Sequence, residues 1–392
     1  MRWIAFFVAG LLTAQDPDVP LREAVQRGDV PGVVAMVATP DSITYHGAFG
    51  KRDVRAGVPM TEDTIFAIYS MTKPVTSVAV MQLVEQGKLT LDEPVKKYLP
   101  AVGNAQVLLG FRNGQPILKP PAKPITLRHL LTHTSGYGYG LWDANLLRWE
   151  QQHRRAPGMP SDGGPLVFEP GAKWEYGTNV DCIGRLIEAV TKQSLDQYFR
   201  VHILLPLGMK DTFFNVPPEK ASRLASSHRR AGGRLIEEAR QAPARVSSYS
   251  GGGGLYSTAA DYVRFMQMIL NGGSVGGTRI LRDSTVAEMI RNQIGDLPAG
   301  VLKTTAPDIS RNVDFHPGHS DRFGFGFLIN PEGYEGGRSA GSLAWAGLAN
   351  TFFWIDPQRK LCAVMLLQVL PFCDEPSVAL LGRFERAVYK TP

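Results

Sequence analysis

Cysteine is scarce in this chain: Cys182, Cys362 and Cys373 are the only three in 392 residues. Thiols so few and so far apart exclude a disulfide framework and a zinc site, and their odd number leaves at least one of them free. Cys182 and Cys362 lie in apolar runs that suit core positions, and a Cys362 to Cys373 bridge is the one pairing left open. After the N-terminal segment, no apolar run is long enough to span a bilayer, so no stable membrane insertion is expected. Charge blocks of one sign are missing as well. The formal charge of +6 comes from 42 basic and 36 acidic residues spread along the chain. One basic stretch, from His228 to Arg240, has neither interleaved aromatics nor a recognised binding motif. It reads as a surface loop, and no nucleic-acid partner is expected. The glycine runs Gly251 to Gly254 and Gly272-Gly273 lack the strand-to-helix setting and the lysine of a phosphate loop, so they read as turns.

What is present is enough apolar material for a large core, at 44% of the residues. Met1-Arg2 followed by the apolar run Trp3 to Leu12 has the form of an export leader, residues 1–14, with a cleavage site after Ala14. An exported protein, periplasmic or secreted, is the expectation. Further on, a short helix from Leu21 to Gln26 precedes β-like runs at Val33 to Ala38 and Ser42 to His46. The C-terminal part has three more, Phe323 to Ile329, Thr351 to Ile355 and Leu361 to Val369, closed by a helix from Val378 to Tyr389. Helical patterns occupy the middle, at Leu127 to Thr132, Val180 to Thr191, Leu195 to Val201 and Ala259 to Leu270, between long loops. An α/β (α+β) fold follows: an antiparallel sheet flanked by helices and built from both termini, residues 15–69 and 315–392, with a mostly helical domain, 70–314, inserted between them.

The sharpest signal is Ser70-Met71-Thr72-Lys73. Residues three apart on a helix share a face, so the Lys73 amine comes within reach of the Ser70 hydroxyl. A serine becomes a good nucleophile when a neighbour accepts its proton, and apolar surroundings make a lysine amine a better acceptor. Val75, Val78, Ala79, Val80, Met81, Leu83 and Val84 point to a helix buried nearly all round and ended at Gly87. Pro74 is tolerated only in a first turn, which places the helix start near Ser70. There the positive end of the helix favours a developing oxyanion. An ordinary serine cap followed by a surface lysine is the plain alternative. Two other serines, Ser274 and Ser339, match Gly-x-Ser-x-Gly, but neither has a strand entering and a helix leaving, so both read as loop residues. Tyr176 offers a phenol that could act as a general base beside a lysine.

These pieces, in order, resemble the serine β-lactamase and penicillin-binding-protein superfamily, in its class C-like branch that includes the family VIII carboxylesterases. The resemblance rests on Ser70 to Lys73, on Leu130 to Gly136, on Tyr176, on Gly252 to Ser257 and on Trp345-Ala346-Gly347. It implies that Ser70 is acylated, that Lys73 shares or accepts its proton and that Tyr176 is the base. It also implies an oxyanion hole from the N–H groups of Ser70 and Leu348 and a structural role for the His133 to Gly136 turn. No metal or organic cofactor is implied. Two departures stand out. Trp345 occupies the place of the lactamase cation, and Thr178 stands where relatives carry an asparagine, with Asn179 next. The expected activity is therefore a serine hydrolase for small to medium esters, with a β-lactamase, a D-amino-acid peptidase or amidase, or an acyltransferase as rivals of the same chemistry. A non-catalytic penicillin-binding sensor is the rival from another class. The expected partner is a small-molecule ester or lactam; nothing in the sequence indicates an oligomeric state.

Overall fold

The computed structural model describes residues 16–153, 164–238, 243–333 and 336–390; the segment expected to be a leader, residues 1–14, lies outside them. Eight strands form one antiparallel sheet. From the N-terminal part come β1 (Gly32–Ala38), β2 (Ile43–Asp53) and β3 (Val58–Pro59). From the C-terminal part come β4 (Arg322–Phe323), β5 (Leu328–Asn330), β6 (Ser342–Gly347), β7 (Thr351–Asp356) and β8 (Leu361–Leu366). The order is β4-β5-β6-β7-β8-β1-β2-β3, so the two ends of the chain meet where β1 pairs with β8, with Met36 opposite Val364.

Strand β1 is apolar throughout because both of its faces are covered. Successive side chains of a strand point to opposite faces. Val34 and Met36 accordingly join a core with the helices α2 (Thr72–Glu85), α3 (Asn179–Thr191) and α4 (Ala259–Leu270), while Val33, Ala35 and Val37 join a second core. That second core contains Leu21 of α1 (Asp18–Gln26) and Leu380 and Phe384 of α5 (Glu375–Lys390). The result is a sheet sandwiched between two helical layers. Among the described residues no helix is long and apolar enough to cross a membrane.

The expected run Phe323 to Ile329 is not one strand. It is the tight hairpin of β4 and β5, closed by a hydrogen bond from Gly324 N–H to the Phe327 carbonyl at 2.9 Å. Gly326, at φ 93°, passes so close to α2 that a Cβ there would lie 2.6 Å from Ser77 Oγ. The middle of the chain is also less purely helical than expected. Val107–Arg112 and Gln115–Lys119 form a hairpin inside the long loop, and the basic stretch forms another, His228–Ala231 with Arg234–Glu237. Gly232 and Gly233, at φ 55° and 78°, close that turn, and its first strand adds in parallel to Val369–Leu370. Two of its arginines are engaged internally, Arg229 with Glu238 at 3.0 Å and Arg230 with Asp374 at 2.6 Å; Arg234 is exposed, and Arg240 lies outside the described residues. The three cysteines are free thiols, including Cys362 and Cys373.

Candidate active site

Ser70 lies in a short 3-10 turn, Tyr69–Met71, that feeds directly into α2. Tyr69 before it has φ 44°, a left-handed conformation uncommon for a residue with a bulky side chain. The turn is over-determined by its neighbours. Ile68 N–H donates to the Leu255 carbonyl at 3.0 Å, Leu255 N–H to Thr72 Oγ1 at 3.1 Å, and the Tyr262 hydroxyl to the Met71 carbonyl at 2.9 Å. Such cross-bracing is what holds a locally unfavourable backbone in place. As the sequence pattern requires, α2 is buried from Thr72 to Leu83, and Gly87 follows its end at φ 68°.

Lys73 is 1% exposed, which disposes of the surface-lysine alternative. A buried ammonium has to be paired or hydrogen-bonded. Its Nζ donates to Ser70 Oγ at 3.2 Å, to the Gly252 carbonyl at 2.7 Å and to Tyr139 Oη at 3.4 Å, which uses all three protons of the group. Two aromatic faces complete the cage, with Nζ 4.6 Å from the Tyr176 ring centroid and 5.6 Å from that of Tyr139. Cation–π attraction favours this arrangement.

The glycine run read as a turn is a turn with a task. Thr76 Oγ1 of α2 donates to the Gly251 carbonyl at 2.6 Å, and Gly252 N–H donates to Asp181 Oδ1 at 3.1 Å. A Cβ on Gly252 would sit 2.2 Å from Asp181 Oδ2, so only glycine lets this loop bring its carbonyl to Lys73.

Tyr176 is buried, and its hydroxyl accepts from Trp345 Nε1 at 3.4 Å. The phenol oxygen that bonds Lys73 is that of Tyr139, which in turn donates to Asp181 Oδ2 at 3.5 Å. Burial, reinforced by Asp181, raises the Tyr139 pKa well above the ordinary phenol value, so this hydroxyl stays protonated. His133 packs its ring 4.9 Å from that of Tyr176 and has φ 58°. Burial and the nearby Lys73 charge hold its pKa well below the ordinary imidazole value. The neutral ring accepts at Nδ1 from Asn179 Nδ2 at 3.0 Å and from Gly177 N–H at 3.4 Å, the positioning role expected of its turn. Asn179 is fully buried; its Oδ1 accepts from Ser135 Oγ at 2.5 Å and its Nδ2 donates to the Tyr137 carbonyl at 2.9 Å. Its amide is committed to that scaffold.

Strand β6 ends against the turn that carries Ser70. A Cβ on Gly347 would lie 2.3 Å from the Ile68 carbonyl, so glycine is required for the strand to reach Ser70. Trp345 is half-buried, its ring 4.8 Å from Tyr176 and 5.5 Å from Phe323. Trp345, Ala346, Gly347 and Leu348 line one narrow cavity with Ser70, and Leu302, Val313, Phe315 and Phe372 supply its far wall. A second, larger cavity of about 280 Å³ also reaches Ser70, lined among others by Tyr139, Trp142, Asp181, Ser250 and Ile309. Asp181 is the one charged side chain among the described residues lining the two cavities. Ser274 and Ser339 have no such surroundings. Ser274 opens a two-residue strand after α4, and Ser339 lies in a turn before β6 with its N–H on Asp356 Oδ2 at 2.9 Å.

A family model described as Beta-lactamase matches residues 21–381. The chain belongs to the beta-lactamase family. This β-lactamase-family chain is 31% identical over 402 residues to monacolin J acid methylbutanoyltransferase of Aspergillus terreus, covering 96% of each protein. It is 30% identical over 403 residues to esterase EstB of Burkholderia gladioli, covering 92% of each. Its fold superposes on a simvastatin synthase variant from Aspergillus terreus with a TM-score of 0.81 at 30% identity, over 95% of this chain and 93% of the other. It is thus an enzyme of the serine hydrolase superfamily whose relatives are esterases and acyltransferases.

Tyr139, Asp181, Ser250 and the far apolar wall are site residues that sequence reasoning missed. Tyr139 had a usable signal: it sits in Gly136-Tyr137-Gly138-Tyr139-Gly140, directly after the recognised turn. Leu302, Val313, Phe315 and Phe372 had none, being ordinary apolar residues brought together by loops.

Proposed function

We propose that the chain is a carboxylesterase that cleaves small to medium esters through an acyl-enzyme on Ser70. The carrying observation is Ser70 Oγ 3.2 Å from a buried Lys73, at the mouth of a cavity walled by apolar side chains and by Trp345. Ser70 Oγ attacks the ester carbonyl carbon while the Lys73–Tyr176 pair, deprotonated at one member, takes the hydroxyl proton. Charge gathers on the carbonyl oxygen, which the N–H groups of Ser70 and Leu348 stabilise. The carbon–oxygen bond to the alcohol then breaks, and the alcohol leaves with the proton. Water repeats the sequence to release the acid and restore Ser70. Tyr139, held protonated, serves as a fixed partner for Lys73 rather than as a base.

That no cation lines either cavity among the described residues supports ester over lactam chemistry, since a β-lactam carboxylate finds no positive partner among them. The test is kcat/KM for a p-nitrophenyl butyrate and for a chromogenic cephalosporin, with wild type and Ser70→Ala. Ester turnover that disappears in the variant, with little lactam turnover, supports the reading; dominant lactam turnover overturns it. Acyl transfer to an alcohol is a second reading, favoured by the roomy cavity beside Ser70 and by the name of the methylbutanoyltransferase relative. Ester formation with added alcohol, at the expense of free acid, would establish it. We further propose export, supported by Met1-Arg2 and the apolar run Trp3 to Leu12; N-terminal sequencing of the mature protein tests it.

A further inference from the structure

Resting on the esterase reading, we propose that the larger cavity selects the alcohol half of the substrate by charge. It favours alcohols bearing an ammonium group and rejects alcohols bearing a carboxylate. Three observations carry this. The first is Asp181, 5% exposed and lining the cavity with no cationic side chain among the described residues that line it. Its Oδ1 is satisfied by Ser250 Oγ and by Gly252 N–H at 3.1 Å, whereas Oδ2 has only the long bond from Tyr139 at 3.5 Å. Glycine at 252 leaves open the space over Oδ2, where a Cβ would come within 2.2 Å. An under-used carboxylate oxygen beside a cavity is a receptor for a donor cation.

The second observation concerns Lys73, which shares Tyr139 and the Gly252 backbone with Asp181. Its three protons are committed to Ser70, Tyr139 and Gly252, and Tyr139 stands between it and Asp181. Lys73 therefore has no donor left for a substrate carboxylate. The third is aromatic. Tyr139, Trp142 and Tyr176 all line the same cavity, their ring centroids 5.4 to 5.7 Å from one another. Aromatic faces next to a carboxylate form the chemical setting in which ammonium groups bind well. A primary amino alcohol fits both features, and a quaternary one fits the negative charge and the aromatic faces; a carboxylate fits neither.

The test uses three butyrate esters of similar size: butyrylcholine, its neutral isostere 3,3-dimethylbutyl butyrate, and 4-butyryloxybutanoate. Acid release is followed by pH-stat for wild type and Asp181→Asn, and the ratios of kcat/KM between esters are compared within each enzyme, so a general loss of rate in the variant cancels. Wild type is expected to prefer the cationic over the neutral ester by about tenfold and to disfavour the anionic one by about as much. Asp181→Asn should bring both ratios to within about twofold of unity. Equal or reversed preferences in wild type overturn the proposal, as does a preference unchanged in Asp181→Asn. Should the variant fail to fold, the wild-type ratios and their decline with added salt decide the matter. Should wild type cleave no ester at all, the esterase reading fails, and calorimetric binding of the three compounds to Ser70→Ala then judges the charge preference by itself, equal affinities overturning it.

Discussion

The two cavities that meet at Ser70 are built in different ways. The smaller is walled by side chains, with Leu302, Val313, Phe315 and Phe372 facing the end of β6. The larger is walled to a great extent by backbone, the glycines 252 to 254, together with the polar groups of Tyr139, Asp181 and Ser250. Side-chain walls set size, because a pocket of fixed volume rejects an extra methylene by about 1–3 kcal/mol. Polar and backbone walls set chemistry, because an unmatched buried donor or charge costs more than a gap. On the proposed reading, Ser70 thus faces a size filter in one cavity and a charge filter in the other.

The strongest way to break this comparison is to remove what the two sides share. Ser70→Ala should lower ester kcat/KM by at least about a thousandfold and abolish the mass increment of an acyl adduct, while Ser274→Ala and Ser339→Ala leave both intact. Next come the two phenols. Tyr176→Phe should cost about a hundredfold or more in kcat as loss of a base. Tyr139→Phe should cost about tenfold, because it removes a neutral hydrogen-bond partner of Lys73; the pH–rate profile should move more for Tyr176 than for Tyr139. A larger loss in Tyr139→Phe would reverse the two assignments.

The size filter is sharpened by Phe315→Ala. It should raise the hexanoate-to-acetate ratio of kcat/KM by about tenfold, whereas Ser250→Ala on the other side leaves that ratio alone. A ratio insensitive to Phe315 would place the acyl group elsewhere. The smallest effect is on stability. Since the folded His133 pKa lies well below 6.5, the unfolded chain takes up a proton that the folded one refuses. Its contribution is complete above about pH 6.5 and is lost as pH falls, by up to about 1.4 kcal/mol per unit. Denaturant titrations from pH 8 to pH 5 should show this slope, and His133→Asn should flatten it.

Much of the site was legible because it is local. Ser70 and Lys73 are three residues apart, and a buried helix needs no partner to set their spacing. The apolar pattern of α2 and the position of Pro74 placed its start within two residues of the observed one. Trp345 and Gly347 were legible through the family pattern, and the close approach of Gly347 to Ile68 gives that pattern its physical reason. The hairpins at 107–119 and 228–237 were less accessible, since each strand is short and half-exposed, with a weak apolar alternation. The split of Phe323 to Ile329 was hidden because Phe325 and Phe327 are as buried in a turn as they would be in a strand.

By itself, then, the sequence determined the pairing of Ser70 with Lys73, the double-sided sheet core and the family pattern, all of which follow from near-neighbour spacing and from the alternation of apolar residues. Only the tertiary structure decided which phenol bonds Lys73, that Asp181 lines a cavity without a cation, and which apolar loops close the opposite wall. Those contacts join residues 42 to 179 positions apart, as in Tyr139 with Asp181 and Lys73 with Gly252. Their partners are chosen by how the sheet and helices pack, which no local spacing encodes.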